Sequence, residues 1–173
     1  MTKTCKNQKK NIVVKTRKNN FNIKAVAVLM PNDNNISGNV VFKQYKNGVK
    51  IKYDINNLRD GKHGFHIHEY GDLTDNCSSA CSHFNPDNET HGGLNTKIRH
   101  AGDLGNIISK DNEAKGTMFA KKLTLSPGKY SILGRMIIVH EDEDDLGKGG
   151  DEETLKTGNA GKRLTCGVIG LSS

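Results

Sequence analysis

The stretch SGNVVFKQYKNGVKIKYDI, residues 37–55, indicates the fold class. Asn47-Gly48 separates two runs rich in β-branched and aromatic residues, a pattern typical of a β-hairpin whose tight turn needs positive φ at both positions. From Ile51 to Ile55, apolar or aromatic residues alternate with charged ones, so one face is expected to be buried and the other wet. We therefore predict an antiparallel sheet.

Further strand-like runs extend this prediction to an all-β protein. They lie at residues 21–30, 64–68, 114–125, 130–140 and 166–171. The 19 glycines and 3 prolines suit a single domain of 173 residues rich in turns. Residues 69–103 and 141–163 show no periodicity, and unstructured segments of that length are usually functional.

Basic charge is concentrated at the start of the chain. Residues 1–20 hold seven lysines and arginines and no acidic residue, and the remainder holds 19 basic and 19 acidic residues. We predict that residues 1–20 form a disordered extension and that residues 21–173 form the folded domain. Apart from weak binding by this basic segment we expect no nucleic-acid partner. No run is apolar enough for a membrane span or a secretory leader, so we expect a cytoplasmic protein.

Most histidines fall in a few segments that predict a metal centre. His66 and His68 are two residues apart, so on a strand both side chains point to one face. A second group has the spacing H-x₇-H-x₈-H-x₂-D and consists of His83, His91, His100 and Asp103. Three imidazoles with a carboxylate suit zinc, and imidazoles without a thiolate suit copper(II). His140 ends another predicted strand, whereas His63 is expected to bond only the backbone.

Other interpretations of these residues are weaker. His140-Glu141 does not complete a zinc-protease H-E-x-x-H motif, because position 144 is Asp144. The run LGKGG, residues 146–150, lacks the spacing of a phosphate-binding loop. The four cysteines are too few for a disulfide scaffold, and in the cytosol all would be thiols.

Seven motifs together resemble the copper/zinc superoxide dismutase family in its eukaryotic cytosolic form. They occur in order from about Phe21 onward: HGFHIHEYGD, HFNP, HGG, RHAGDLGNI, GRMIIVHE, DDLGKGG and TGNAGKRLTCGVIG. The resemblance implies a flattened eight-stranded Greek-key β-barrel, an immunoglobulin-like sandwich with two long functional loops. It also implies dismutation of superoxide to oxygen and hydrogen peroxide by one-electron cycling of a histidine-bound copper.

The resemblance also assigns the site residues. It implies one copper per subunit on His66, His68, His83 and His140. It implies one zinc per subunit on His83, His91, His100 and Asp103. His83 would bridge the metals as an imidazolate and supply a proton, and Asp144 would hydrogen-bond His66 and His91. Arg163 would guide the anion at the copper, and a disulfide would join Cys77 to Cys166, leaving Cys5 as a free thiol and Cys81 able to mispair.

Partners follow from the same resemblance. Superoxide is the implied substrate, a homodimer is the implied assembly, and a copper chaperone is a loading partner. The dimer contacts would come from the first strand, Tyr70-Gly71, residues 132–134 and residues 168–171. The alternatives are a non-enzymatic relative of the copper chaperone, which would lack copper ligands, and a metal-storage or zinc-stabilised binding protein. The first would also carry an added C-x-x-C module, which this sequence lacks, and storage would need neither Asp144 nor Arg163.

The second loop carries an unusual charge for this family. Residues 141–163 hold eight acidic and four basic residues, and Asp142 and Glu143 stand where relatives often have a basic and a neutral residue. We expect Lys97 and Lys162 to compensate for these acids. We further expect a rate that falls with added salt, because Lys156 and Arg163 attract the anionic substrate.

Overall fold

The structure is a computed structural model that describes residues 22–29 and 35–173. The predicted extension, residues 1–20, lies outside the described residues, and so does Cys5. None of the helical turns formed by the described residues has the length and apolarity needed to cross a membrane.

Antiparallel strands dominate the described residues, as predicted. They are β1 Lys24–Leu29, β2 Ser37–Tyr45, β3 Gly48–Asn56, β4 Gly61–His68, β5 Thr74–Cys77, β6 Asp103–Ser109, β7 Glu113–Ala120, β8 Met136–His140, β9 Arg163–Val168 and β10 Gly170–Ser172. Two single 3₁₀ turns, Ser78–Ala80 and Glu153–Leu155, lie in the two long loops.

Two sheets pack face to face around one core. The first has the order β10-β1-β2-β3-β7 and the second the order β6-β4-β8-β9. Large side chains such as Phe42, Ile51 and Phe65 are fully buried between them. Each such burial stabilises the fold by roughly 1.5–3 kcal/mol. The expected flattened barrel is therefore confirmed. The two sheets hold nine strands, one more than the eight expected, because the run that forms β9 and β10 changes sheet at Ile169, and the short β5 belongs to neither sheet.

The predicted hairpin forms, but its turn differs from the expected one. Tyr45 pairs with Gly48, so the two turn residues are Lys46 and Asn47. Positive φ occurs at Gly48 (147°) and not at Asn47. A Cβ on Gly48 would also lie 2.4 Å from the carbonyl oxygen of Ala120, so glycine is required there both for its conformation and for the close approach of β7.

Three strand predictions need correction. Strand β8 begins at Met136 rather than at residue 130, and β7 ends at Ala120 rather than at residue 125. The predicted closing strand at residues 166–171 is two strands, one in each sheet. Strand β6 was missed, because Gly105 and Asn106 interrupt its apolar alternation.

Candidate metal centre

The β-strands of the second sheet position the first histidines. Strands β4 and β8 are paired neighbours, with His66 opposite Ile138 and His68 opposite Met136. His66 and His68 share one face of β4, as the sequence predicted, and His140 ends β8. An isolated bridge pairs His68 with His83 and so brings the first long loop against the sheet. All four imidazoles are buried, although burying unpaired polar rings is unfavourable.

Two four-residue groups share His83, and in each the ligand-type atoms lie within 4.8 Å of one another. The cavity-side set consists of His66, His68, His83 and His140. The loop-side set consists of His83, His91, His100 and Asp103. The structure thus brings together every residue that the sequence singled out as a ligand. His63 stays outside both sets, as expected, because its ring nitrogens contact the carbonyl oxygens of His140 and Arg59 at 2.8 and 2.9 Å.

Hydrogen bonds set the tautomers of the cavity-side set. His68 Nδ1 donates to the carbonyl of Cys81 at 2.8 Å, and His140 Nδ1 donates to that of Gly161 at 3.3 Å. A neutral imidazole has one N–H, so both Nε2 atoms carry lone pairs, yet they lie only 3.2 Å apart. Two facing lone pairs repel each other unless a cation lies between them. The set therefore fits a metal ion.

His66 follows the same logic. Its Nε2 donates to Asp144 Oδ2 at 2.9 Å, which leaves Nδ1 as an acceptor, and this buried atom makes no hydrogen bond. A buried polar atom without a partner costs roughly 1–3 kcal/mol. The cavity-side set consists of imidazoles alone, without a carboxylate or a thiolate, and such a donor set suits copper.

The loop-side set has the dimensions of a tetrahedral site. Asp103 Oδ1 lies 2.9 Å from His83 Nδ1, 3.1 Å from His91 Nδ1 and 3.1 Å from His100 Nδ1. The Nδ1 atoms of His83 and His100 are 3.4 Å apart. Zinc with ligands at about 2.0–2.1 Å places neighbouring ligand atoms about 3.3 Å apart. These observed spacings and the N₃O donor set therefore fit zinc.

His83 belongs to both sets. Its Nδ1 faces the loop-side set, while its buried Nε2 faces the cavity-side set and has no hydrogen-bond partner. A single imidazole that offers one nitrogen to each set can join two metal ions. The rings of His66 and His83 are 4.1 Å apart and those of His83 and His91 are 5.3 Å apart, so the three stand side by side.

Asp144 connects the two sets through one histidine of each. Its Oδ2 accepts from His66 Nε2 at 2.9 Å and its Oδ1 accepts from His91 Nε2 at 2.7 Å. The side chain of Asn106 holds Asp144 through two bonds of 2.8 Å to its backbone. A ligand histidine that donates its second N–H to a carboxylate has a fixed ring orientation. Sequence reasoning named Asp144 but missed Asn106, because a single asparagine on β6 has no distinctive spacing.

Electrostatics differ between the two sets. Burial and the neighbouring His83 lower the pKa of His140 to about 3. Burial is also the main cause that lowers the pKa of His66, His68 and His83. Burial opposes protonation of His91 as well, but its close contacts with the carboxylates of Asp103 and Asp144 outweigh burial and raise its pKa to about 9. The loop-side set therefore favours a positive charge, whereas the cavity-side imidazoles stay neutral.

The carboxylate of Asp103 completes this contrast. Burial alone would raise its pKa, but contacts with His100, His83 and His91 hold the pKa well below its usual range. Backbone N–H groups of Gly92 and His100 donate to its Oδ2 at 3.0 and 2.8 Å. Asp103 is thus a permanently ionised ligand.

An open cavity borders the cavity-side set, and of the loop-side set it reaches only the shared His83. It has a volume of about 530 Å³, and His68, His83 and His140 form part of its wall. Arg163, on β9, lies in the same wall. Its guanidinium donates to the carbonyl oxygens of Cys77 at 2.5 Å, Ser78 at 3.0 Å and Cys81, so the charge is held in one place. A small anion that enters the cavity therefore meets the imidazoles and a fixed cation together.

A disulfide fixes the wall that carries Arg163. Cys77 and Cys166 are bonded with a Cα–Cα distance of 5.8 Å, which confirms the predicted pair and corrects the expectation of thiols. Cys81 is disulfide-bonded as well, so mispairing with Cys166 does not occur in this structure. The bridge joins residues 89 apart and ties the first long loop to β9.

An all-β sandwich with two adjacent candidate metal sites that share one histidine, one of them open to a cavity, defines a class of two-metal protein. Comparisons with known proteins narrow this class. The family model for copper/zinc superoxide dismutase (SODC) matches residues 36–169. The chain belongs to the copper/zinc superoxide dismutase family. Copper and zinc are its cofactors, and it is an enzyme that dismutates superoxide to oxygen and hydrogen peroxide.

Individual relatives show the extent of the similarity. The chain is 53% identical over 152 residues to Superoxide dismutase [Cu-Zn] of Paramecium bursaria Chlorella virus 1, covering 87% of this chain and 79% of that one. It is 50% identical over 150 residues to Superoxide dismutase [Cu-Zn] A of Xenopus laevis, covering 86% and 98%. It is 47% identical over 152 residues to an extracellular superoxide dismutase [Cu-Zn] of Brugia pahangi, covering 86% and 76%.

A solved structure agrees with the fold. The crystal structure of the clock protein EA4 superimposes with a TM-score of 0.83 at 40% identity, covering 91% of this chain and all of that one. Sequence and fold comparisons therefore point to the same family.

Proposed function

We propose that the cavity-side set binds copper and that the loop-side set binds zinc. The observation that supports this most directly is the facing pair of lone pairs on His68 and His140 at the wall of the open cavity. Bound copper supplies the one-electron redox chemistry of dismutation. The loop-side set, closed and carrying the ionised Asp103, suits zinc, which has no redox chemistry and holds the loop.

In this proposal Arg163 binds and orients the substrate. Its guanidinium lines the cavity beside His68 and His140, and its contacts with three backbone carbonyls leave it little freedom to move. Superoxide carries one negative charge, so a fixed cation in a partly enclosed cavity raises its local concentration and aligns it with the imidazoles. Lys156 lies in the same wall, and its ion pair with Glu152 offsets part of the attraction that it adds.

His83 supplies a proton in the same scheme. Asp103 faces its Nδ1, which leaves Nε2 as the ring atom able to take up and release a proton on the cavity side. Reduction of superoxide to hydrogen peroxide consumes two protons. His83 Nε2 would take up a proton from solvent and deliver it to the anion in the cavity, and water entering through the open side would deliver the other and leave as hydroxide.

A reconstitution experiment tests these roles. Purified protein loaded with copper and zinc is compared with His140→Ala in a pulse-radiolysis assay, with both metals measured by mass spectrometry. We expect the variant to lose copper and dismutase activity while it keeps zinc. Loss of zinc with retention of copper would contradict the assignment of the two sets, and dismutation without either metal would contradict the proposed chemistry.

We also propose a homodimer. The segments named for its interface converge on one face, because a Cβ on Gly71 would lie 2.3 Å from the carbonyl oxygen of Gly134 and 2.9 Å from Val168. Val28 and Leu171 nearby are 53% and 70% exposed, although both are large apolar side chains. Such a patch is suited to burial against a second copy. Sedimentation equilibrium checks the mass, and a Leu171→Glu variant should sediment as a monomer.

The remaining assignments concern domain limits, location and loading. We propose that residues 21–173 form the enzymatic domain, that residues 1–20 are an extension, that the enzyme works in the cytoplasm, and that a copper chaperone loads it. The buried cavity-side set supports the last point, since copper must reach atoms shielded from solvent. Activity and cell fractionation of chains with and without residues 1–20, expressed with and without a copper chaperone, test all four. One relative is named extracellular, so secretion is the alternative location, and finding the protein outside the cell would contradict the proposed one.

A further inference from the structure

The acidic start of the second long loop lies beside the cavity that receives the anion. The backbone of Asp142 is bonded to Ala160, and a Cβ on Gly161 would lie 2.2 Å from Asp142 Oδ2. Gly161 belongs to the cavity wall. The carboxylate of Asp142 therefore lies next to a residue of this wall without lining the cavity itself, and Glu143 follows it in the chain.

Each of these two acids is paired with a base from the segment around the start of β4. Arg59 Nη2 lies 3.2 Å from Asp142 Oδ1 and also donates to the carbonyl of Glu141. Lys62 Nζ lies 2.6 Å from Glu143 Oε1. Lys62 lies at the start of β4 and Arg59 lies two residues before it, and both are 81 or more residues away from the acids along the chain.

Lys97 and Lys162 were expected to compensate for these acids, and this stays a prediction. Among the described residues, neither lysine forms an ion pair with an acid, whereas Arg59 and Lys62 do. Lys156 is itself paired with Glu152 at 2.6 Å, so part of the positive charge in the cavity wall is already offset. The balance of charge at the cavity thus depends on whether Asp142 and Glu143 are neutralised.

Stability alone does not explain the two pairs. All four side chains are more than half exposed, between 52% and 58%, and ion pairs exposed to that extent contribute little to folding. The same charges can still change the rate measurably, because one unit charge about 10 Å away in water changes the local concentration of an anion about twofold. Salt suppresses this effect, since the Debye length falls from ~30 Å at 0.01 M to ~3 Å at 1 M.

We propose that Arg59 and Lys62 are steering residues that neutralise Asp142 and Glu143 and so keep the cavity attractive to superoxide. The proposal rests on the copper-bearing cavity described above and adds two residues to its anion attraction. Neither base touches the substrate, so each acts through the acid that it faces.

The test uses three variants of the metal-loaded enzyme at 0.01 M and 1 M salt. Arg59→Gln/Lys62→Gln should lower kcat/KM about two- to fourfold at low salt and leave it unchanged at 1 M. Adding Asp142→Asn/Glu143→Gln to the same chain should restore the wild-type rate. Lys50→Gln/Lys52→Gln, which changes the net charge equally but lies on β3 in the other sheet, is the matched control and should have a smaller effect.

A binding measurement separates steering from catalysis. The affinity of each protein for azide, a small anion, is followed by the change in copper absorbance, and the double Arg59/Lys62 variant should bind azide two- to fourfold more weakly at low salt. The proposal is overturned if the loss of rate persists at 1 M salt, if the quadruple variant stays slow, or if the Lys50/Lys52 control loses as much. A protein that binds azide as expected without dismutating superoxide would instead contradict the proposed function.

Discussion

The two halves of the metal centre share His83 and differ in almost every other respect. The loop-side set contains a carboxylate, is closed to the cavity, and raises the pKa of His91 to about 9. The cavity-side set contains imidazoles alone, borders the cavity, and lowers the pKa of His140 to about 3. The ionised carboxylate of the loop-side set would favour an ion with a fixed 2+ charge. The neutral, open cavity-side set would tolerate an ion whose charge changes during turnover.

Removing the disulfide should have the largest effect on stability, and its effect on the metal centre should be confined to the cavity-side set. Cys77→Ser/Cys166→Ser should lower the free energy of unfolding by ~4 kcal/mol, because the bridge closes a loop of 89 residues. Arg163 is anchored to Cys77 and Ser78, so the cavity side should also lose activity while zinc is retained. Chemical denaturation and zinc analysis check this. Equal loss of both metals would show that the halves are not independent.

Replacing the shared His83 should weaken both sets at once. His83→Ala removes one donor from each set, and the rate should fall by more than about 100-fold, since even an outer partner of a ligand costs about 10–100-fold. The copper EPR spectrum should change and the zinc affinity should fall in the same protein. Loss of one metal with unchanged binding of the other would rule out a bridge.

Asp144 tests the link between the halves at a smaller scale. Asp144→Asn keeps the shape but removes the charge that accepts from His66 and His91. We expect the affinity for both metals to fall about 10-fold. Competition with a chelator measures each metal separately. Asn106→Ala is the matched comparison, because it removes only the support of Asp144, and a loss larger than that of Asp144→Asn would contradict the proposed order of importance.

Asp87 should give the smallest effect, and it should depend on pH. Hydrogen bonds from Lys122 and Lys129 hold the pKa of Asp87 well below its usual range, and Tyr130 adds another bond. The stabilisation is therefore present above the unfolded pKa near 4 and is lost as the pH falls towards the folded pKa. Asp87→Asn should lower Tm by about 3 °C at pH 7.

The same pair of proteins gives the control for pH. The titrations of the metal histidines occur in both chains, so they cancel when the two Tm values are subtracted at each pH. The difference between wild type and Asp87→Asn should shrink steadily from pH 5 downwards. A difference that stays constant down to pH 3 would mean that Asp87 acts by packing and not by charge.

Features set by residues close together in the sequence were predictable, whereas features set by distant residues were not. The hairpin at residues 37–56 and the shared face of His66 and His68 are local, because a strand repeats every two residues. The exact turn residues escaped prediction, since a shift of one position depends on the close approach of β7 to Gly48. Strand β6 escaped as well, since its pairing with β4 compensates for a weak local pattern.

The sequence by itself determined the donor atoms, the spacing that separates two ligand groups, and the motifs that place the chain near one family. Only the tertiary structure decided that Arg59 faces Asp142 and that Asn106 holds Asp144, because these contacts join residues 83 and 38 apart. Local spacing carries information about one strand or one loop. The charge at a cavity is a sum over all the elements that border it, and that sum exists only once the chain has folded.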